Sequence, residues 1–257
     1  MTTIKHIIKR YKGGVYSEHE DEILKELTLS VYLECDAIVK LVCLPADMEE
    51  LVYGYLYSEG IISRADDVKS IEFVGCDARV WLSSSLSSGL EGGVGGFVGA
   101  ETDMVTTDSG DYIKAPRSVE RAPLGAVFEP MDWKPEVVLR NANLMLEKSE
   151  VFTRTGNVHS AMICRDADVL YFYEDIGRYN AFDKCVGRAL LDKADISRSC
   201  LYTSGRLPGS VALKAVRAGI PMIVSRSAPT DATIEIAAQY GMTIIGFAKG
   251  DRFNLYS

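Results

Sequence analysis

The sequence has no stretch of about 18 consecutive apolar residues, the length that a membrane-spanning helix requires. Residues 1–14 mix polar and basic side chains, and they lack the apolar segment of a secretory signal. We therefore expect a cytoplasmic protein with no membrane segment. The net charge of −8 over 257 residues also argues against a general surface for nucleic acid or anionic lipid.

Several catalytic signatures are missing as well. His159 is followed by Ser160 and Ala161, and no Cys-x-x-Cys is present, so the chain lacks both parts of a zinc deaminase motif. The glycines of residues 89–99 fit neither a dinucleotide-binding nor a P-loop pattern, and no Gly-x-Ser-x-Gly elbow occurs. We expect no bound zinc and neither a deaminase nor a serine hydrolase.

The cysteines do not form an obvious disulfide framework. Several of them fall within apolar runs, where a reduced cysteine behaves as a small apolar side chain. An even number of cysteines does not by itself imply disulfides in a chain with a core of this size. The six are Cys35, Cys43, Cys76, Cys164, Cys185 and Cys200.

The pattern of apolar residues predicts three regions. Residues 1–82 are predicted to form a smaller, β-rich lobe with a loosely ordered lead-in over residues 1–20. Residues 83–133 are rich in Ser and Gly and predict a flexible connector. In residues 134–257 short strands and helices alternate, which predicts an α/β domain with a largely parallel sheet.

Three loops of this third region share one composition. Each follows a short apolar run and contains hydroxyl groups, a Gly or Pro and at least one cation. Loops at the carboxyl ends of strands line the ligand crevice of an open α/β sheet. The three are Thr203-Ser204-Gly205-Arg206, Ser225-Arg226-Ser227-Ala228-Pro229-Thr230, and Phe247-Ala248-Lys249-Gly250-Asp251-Arg252.

These loops have two interpretations. Ser227, Pro229 and Thr230 are common residues at the start of a helix, so they are compatible with a purely capping role. Two of the loops also lead into predicted helices, whose free N–H groups favour an anion. Because four cations recur at three neighbouring strand ends of an acidic chain, we favour a site for a phosphorylated ligand.

A second group of polar residues accompanies the loops. His159 precedes a predicted strand, and Glu174 and Asp175 end another strand just before a helix that starts near Arg178. The carboxylates are suited to capping this helix and pairing with Arg178 or Lys184. Alternatively, they form a polar wall that binds sugar or base donors, with Arg178 binding phosphate.

With these residues the sequence resembles the FdhD family of formate dehydrogenase accessory proteins. The resemblance extends from about residue 26 to residue 256. The matching stretches are Val42-Cys43-Leu44-Pro45-x-Asp47, Tyr57-Ser58-Glu59-Gly60-Ile61-Ile62, Thr155-Gly156-x-x-His159, residues 174–184, Ser204-Gly205-Arg206, Gly219-Ile220-Pro221, Ser225-x-Ser227-Ala228-Pro229-Thr230 and Ile245-Gly246-Phe247.

The resemblance implies an α/β fold related to cytidine deaminases, with a mixed sheet, helices on both faces and a smaller N-terminal lobe. It implies a cytoplasmic homodimer that takes sulfur from a cysteine desulfurase. The sulfur passes to the molybdenum cofactor, bis(molybdopterin guanine dinucleotide), before insertion into formate dehydrogenase. The family's cofactor-binding stretch corresponds to Phe247, Ala248, Lys249, Gly250, Asp251 and Arg252.

The chain departs from the family at one essential position. Members of the family that the sequence resembles carry Cys-x-x-Cys in one loop, which corresponds here to the segment around Thr107, Asp108 and Ser109. This chain has no cysteine between Cys76 and Cys164. A hydroxyl cannot replace a thiolate in thiol–persulfide exchange. Three functions remain open: a sulfur carrier that uses Cys76 instead, a cofactor-binding scaffold that transfers no sulfur, and an unrelated nucleotide-binding enzyme.

Overall fold

The computed structural model describes residues 2–83, 104–107, 110–113, 124–125 and 127–257. Its strands are β1 (Thr3–Lys12), β2 (Val15–Leu24), β3 (Leu27–Leu33), β4 (Asp36–Cys43), β5 (Val68–Val74), β6 (Asp77–Leu82), β7 (Met104–Thr107), β8 (Gly110–Ile113), β9 (His159–Arg165), β10 (Asp168–Asp175), β11 (Cys200–Thr203), β12 (Met222–Ser225), β13 (Thr243–Lys249) and β14 (Arg252–Leu255). Its helices are α1 (Met48–Ser58), α2 (Pro135–Lys148), α3 (Glu150–Thr155), α4 (Arg178–Leu191), α5 (Gly209–Ala218) and α6 (Asp231–Tyr240), and a short 3₁₀ turn covers Ala65–Asp67.

The largest sheet has six strands in the order β10-β9-β11-β12-β13-β14. Strands β11, β12 and β13 are parallel, as the alternation of strands and helices predicts. Strands β10 and β14 are antiparallel to their neighbours because β9–β10 and β13–β14 are hairpins, and β9 also runs antiparallel to β11. The expectation of a largely parallel sheet is therefore correct only for its centre.

Helices cover both faces of this sheet. Alternate strand residues point to opposite faces, so Ile163 and Leu201 pack against α4, α5 and α6 whereas Met162 and Tyr202 pack against α2. The predicted mixed α/β architecture is confirmed. The specific relation to cytidine deaminases stays a prediction.

The smaller lobe is a four-stranded sheet in the order β4-β3-β6-β5, with α1 packed on it. Helix α1 also crosses α4 at unusually close range, and glycines make this approach possible. A methyl group added at Gly54 would overlap the backbone of Asp183, and one added at Gly187 would overlap the backbone of Glu50. The two lobes are therefore in direct contact at this crossing.

A buried polar cluster strengthens the same junction. The Nζ atom of Lys214 lies 2.8 Å from Oδ2 of Asp183, and the Ser58 hydroxyl donates to Oδ1 of Asp183 over 2.6 Å. Burial opposes the charge of Lys214, but the carboxylates of Asp183 and Glu59 outweigh burial and raise its pKa. The charged pair thus joins α1, α4 and α5.

Two segments are more ordered than the sequence predicts. Residues 3–24 form a hairpin rather than a loose lead-in, with Gly13 and Gly14 both at positive φ in its two-residue turn. Strands β7 and β8 pair as a second hairpin inside the predicted connector. Thr107 ends β7, whereas Asp108 and Ser109 lie outside the described residues. The division at residues 82 and 134 stays a prediction.

Within the described ranges, none of the helices combines the length and the apolar character needed to cross a membrane.

Candidate functional site

One edge of the six-stranded sheet collects most of the predicted site residues. Strands β11, β12 and β13 end there, and β9 starts there because it runs antiparallel to β11. His159 and Asp175 are register partners at this edge. Thr203 and Ser225, the last residues of β11 and β12, are paired in the same way. The topology thus brings together segments that are far apart in the sequence.

His159 and Ser204 are in direct contact at this edge. Nδ1 of His159 lies 3.1 Å from Oγ of Ser204, and the Ser160 backbone N–H donates to the same Oγ over 3.0 Å. The two bonds fix the serine side chain and orient the imidazole ring. Burial lowers the pKa of His159, and the charge of Arg178 lowers it further. The ring is therefore neutral near pH 7 and can serve as an uncharged hydrogen-bonding group.

A cavity of about 420 Å³ opens beside these two residues. Its polar end is formed by His159, Ser204 and Arg226, and Nη1 of Arg226 is buried without a hydrogen-bond partner among the described residues. The rest of the lining is mixed: Met145, Leu146, Phe152, Val158 and Ile176 are apolar, whereas Ser149, Asn157 and Ser160 are polar. A buried guanidinium nitrogen without a partner suits an anionic group, and the apolar part of the lining suits an adjoining organic moiety.

Ser225 and Gly205 shape the loops around this cavity. The fully buried Ser225 hydroxyl donates to the Gly205 carbonyl over 2.6 Å and accepts from the Ser227 N–H over 2.9 Å. A Cβ atom at Gly205 would lie 2.9 Å from Cδ of Arg178, so the glycine leaves room for that side chain. The Arg178 guanidinium in turn lies over the Tyr179 ring at 4.8 Å. Ser225 therefore holds two loops together.

The carboxylates of Glu174 and Asp175 are bonded to other groups of the same chain. Glu174 accepts the backbone N–H groups of Val151 and Phe152 over 3.0 and 2.9 Å, at the N-terminus of α3. Asp175 is fully buried and pairs with Lys184 at 2.6 Å. Asp175 also accepts hydrogen bonds from the Leu44 N–H, the Gly177 N–H and the Asn180 side chain. Both carboxylates thus position the surrounding elements and do not line the cavity.

Most of the third predicted loop, residues 247–252, forms β-strand. Phe247, Ala248 and Lys249 belong to β13, and Arg252 begins β14, which the sequence analysis missed. Phe247 is at the site edge, since its N–H donates to the Ser227 carbonyl over 3.0 Å. Ala248 is buried in the core under α2.

The turn between β13 and β14 lies beside α2. Asn143 binds both the N–H and the carbonyl of Gly250, over 3.0 and 2.9 Å. The residues of this turn, Lys249, Gly250, Asp251 and Arg252, are not among those that line the 420 Å³ cavity. Arg206 and Thr230 are exposed, and the Thr230 hydroxyl contacts that of Thr233 at 3.2 Å.

Part of the apolar lining of the cavity was missed by the sequence analysis. Met145, Leu146 and Phe152 come from the end of α2 and from α3, which has only six residues, whereas Val158 and Ile176 are next to the predicted site residues His159 and Asp175. A helix of this length covers less than two turns, so it shows no periodic pattern in the sequence.

A second cavity of about 770 Å³ lies at the opposite end of β9 and β11. Its lining includes Trp133, Arg165, Arg198 and Cys200, and none of the predicted site residues. Charges of both signs line it, because Asp166 and Asp195 are also present. Among the described residues, no group of three or more His, Cys, Asp or Glu side chains is arranged to hold a metal ion.

The six cysteines fall into two classes. Burial raises the pKa of Cys43 and of Cys164 to about 12, and burial also raises the pKa of Cys185 and of Cys200. Cys35 and Cys76 are exposed in turns of the smaller lobe. Since a thiolate is the reactive form, only the two exposed thiols have the access that exchange chemistry requires.

Comparison with known proteins shows to which family the chain belongs. A family model described as the FdhD/NarQ family matches residues 24–257. The chain belongs to the FdhD/NarQ family. It is 30% identical over 250 residues to the sulfur carrier protein FdhD of Listeria monocytogenes serotype 4b, covering 97% of this chain and 95% of that protein. It is 33% identical over 265 residues to the sulfur carrier protein FdhD of Bacillus subtilis, covering 96% and 93%.

A solved structure supports the FdhD fold directly. The crystal structure of a protein from Desulfotalea psychrophila, described as a formate dehydrogenase accessory protein, aligns with a TM-score of 0.77. The alignment covers 100% of this chain and 97% of that one at 23% identity. At this level of identity the likeness establishes the fold.

Proposed function

We propose that this chain is an accessory protein of a formate dehydrogenase that binds the molybdenum cofactor as cargo and takes part in its sulfuration before insertion. Two kinds of support converge on this proposal. The chain is an FdhD/NarQ family member whose relatives are named sulfur carrier proteins. The cavity at the carboxyl edge of the sheet presents an anion-binding group next to apolar walls.

The observation that carries the binding part is the buried Nη1 of Arg226 beside His159 and Ser204. Charge-assisted hydrogen bonds from a guanidinium are well suited to phosphate oxygens. A neutral His159 adds a hydrogen-bonding group without adding charge. We propose that these three side chains bind the phosphates of a guanine nucleotide arm of bis(molybdopterin guanine dinucleotide), with Phe247, Ser227 and Arg206 at the rim of the same edge.

The positions of the cysteines favour a second candidate function, that of a cofactor-binding scaffold. The chain has no cysteine at residues 77–163, the part that corresponds to the family's Cys-x-x-Cys. A protein that holds and delivers the cofactor without carrying sulfur needs no such thiol. In the sulfur-carrying alternative, Cys76 or Cys35 accepts the sulfur, since these are the exposed thiols. The partners of the proposed reaction are a cysteine desulfurase and formate dehydrogenase, and a homodimer stays a prediction.

One experiment separates the two functions. The purified chain is incubated with a cysteine desulfurase and cysteine, and each cysteine peptide is then examined by mass spectrometry. A gain of one sulfur atom on Cys76 or Cys35 that is lost in the matching Cys→Ser variant supports sulfur carriage. No gain on any cysteine supports the scaffold. Loss of formate dehydrogenase activity in cells that lack this chain is expected in both cases, and unchanged activity would contradict both.

A further inference from the structure

Three sulfur-containing side chains form a row across the large sheet. Cys164 of β9 is the register partner of Cys200 of β11, and Cys200 is in turn the register partner of Met222 of β12. Register partners on neighbouring strands place their side chains on the same face of a sheet. All three residues accordingly belong to the core cluster beneath α2. The sheet thus brings together two thiols and a thioether that are far apart in the sequence.

This sulfur row forms part of the wall of the 770 Å³ cavity. Cys164, Cys200 and Met222 all line the cavity, and a fourth sulfur side chain, that of Met131, lines it too. The exposed fractions of Cys164, Cys200 and Met222 are only 1%, 7% and 1%. The cavity connects the row to solvent, since exposed residues such as Arg165 line it as well. A small ion can therefore reach the two thiols, whereas the thiol of a partner protein cannot.

The spacing of the sulfur row suits a bound ion. Both cysteines are free thiols. Neighbouring strands lie about 4.7–4.9 Å apart, and a metal–thiolate bond is about 2.3 Å long, the value for zinc. One ion between two thiolates on adjacent strands therefore spans the strand spacing. Methionine has a long and flexible side chain, so the thioether of Met222 can reach the same ion from the third strand.

The chemistry of the row selects the kind of ion. Thiolate and thioether ligands are soft and favour Cu(I), whereas carboxylate and water ligands suit hard cations. The described residues offer no arrangement of three or more His, Cys, Asp or Glu side chains for a metal ion, and the third member of the row is a thioether. The charged residues that line the cavity are Lys134, Arg165, Arg198, Asp132, Asp166 and Asp195. Because cations and carboxylates are equal in number, the lining favours neither an anion nor a hard cation.

We propose that Cys164, Cys200 and Met222 form a binding site for the soft monovalent cation Cu(I). On binding, the ion forms one bond to each thiolate sulfur, and the two thiols release their protons to solvent. The copper remains Cu(I), so the step requires neither an oxidant nor a reductant. The site is separate from the cavity at His159 and Arg226, which lies at the other end of β9 and β11, and it goes beyond the proposed function.

Titration of the protein against a coloured Cu(I) chelator, without oxygen and with a thiol-free reductant, tests the proposal. The reference chain is Cys35→Ser/Cys76→Ser, which lacks the two exposed thiols, and it is expected to withdraw one equivalent of Cu(I) from the chelator. Adding Cys164→Ala or Cys200→Ala is expected to abolish this transfer. Adding Met222→Leu, which conserves volume, is expected to weaken it. A reference chain that takes up no copper would overturn the proposal.

A matched control and a second measurement guard against loss of the fold. Cys185 is a buried thiol of α4, which packs on the opposite face of the sheet, so Cys185→Ala in the reference chain is expected to keep the full equivalent. Circular dichroism checks that each variant is folded. X-ray absorption of the copper-loaded reference chain needs no further variant and should show only sulfur ligands. Nitrogen or oxygen ligands, or an equal loss of copper in Cys185→Ala, would show that the sulfur row is not the site.

Discussion

Nδ1 of His159 and Oγ of Ser204 lie 3.1 Å apart, although 45 positions separate the two residues in the sequence. The antiparallel pairing of β9 with β11 produces this contact at the edge of the sheet where β11 ends. The same edge holds Arg226, so the three side chains define the polar end of one cavity. The proposed ligand site is thus a consequence of the strand order.

The first prediction concerns pH and His159. Burial, followed by the charge of Arg178, lowers the pKa of His159 below its usual 6.5. As pH falls below that value, the unfolded chain binds a proton that the folded chain resists, so the free energy of unfolding falls. Between about pH 7 and about pH 5, the wild type should lose more stability than His159→Gln in urea titrations.

The exposed His6 provides the control for this experiment. His6→Gln is expected to follow the wild type across the same pH range. An identical pH dependence for the wild type and His159→Gln would show that His159 is not buried in the folded protein as described.

The second prediction compares the structural roles of the carboxylates Asp175 and Glu174. Asp175→Asn removes the charge that balances the buried Lys184, and losing one partner of a buried pair costs about 3–5 kcal/mol. Glu174→Gln affects only the exposed start of α3 and should cost about 1 kcal/mol, as for a lost helix cap. Urea unfolding measures both values. A stability of Asp175→Asn equal to that of the wild type is incompatible with the structural role.

The third prediction concerns the contact between the lobes. Gly54→Ala places a methyl group on the Asp183 backbone, and overpacking of this kind typically costs about 1–3 kcal/mol, occasionally more. Gly125→Ala is the matched control, since its nearest neighbour is the Val216 carbonyl at 3.3 Å. Thermal unfolding should show a large fall in Tm for Gly54→Ala and a small change for the control. Equal Tm values would mean that α1 and α4 are not packed this closely.

The sequence predicts the central elements closely. The strands Cys200–Thr203 and Met222–Ser225 and the helix Gly209–Ala218 lie in the region where the sequence predicts that short strands and helices alternate. Short apolar runs alternate here with helices that end at Gly219 and Gly241, and this pattern leaves few alternative assignments of secondary structure. Both glycines adopt positive φ. Local signals of this kind suffice where the core, the turn residues and the helix ends agree.

The remaining parts depend on tertiary contacts. The first hairpin was missed because its strands are mostly polar and exposed, although its Gly-Gly turn is a recognisable hairpin signal. Strand β14 was missed because Arg252–Leu255 has only four residues and pairs with β13 after a tight turn. The pairing of Asp175 with Lys184 is one of the interpretations that the spacing offered, whereas the hydrogen bond from the distant Leu44 N–H could not be inferred from spacing.

The central claim is that the cavity at His159, Ser204 and Arg226 binds the phosphates of a guanine nucleotide. Isothermal titration of guanosine diphosphate into the wild type, Arg226→Ala and Arg198→Ala tests it, the last variant altering the cavity at the opposite end of the sheet. Loss of a charged hydrogen bond costs about 1.5–3 kcal/mol, so Arg226→Ala should bind roughly 10- to 150-fold more weakly, and Arg198→Ala should bind like the wild type. Equal affinities for the wild type and Arg226→Ala, or weaker binding only in Arg198→Ala, would contradict the account.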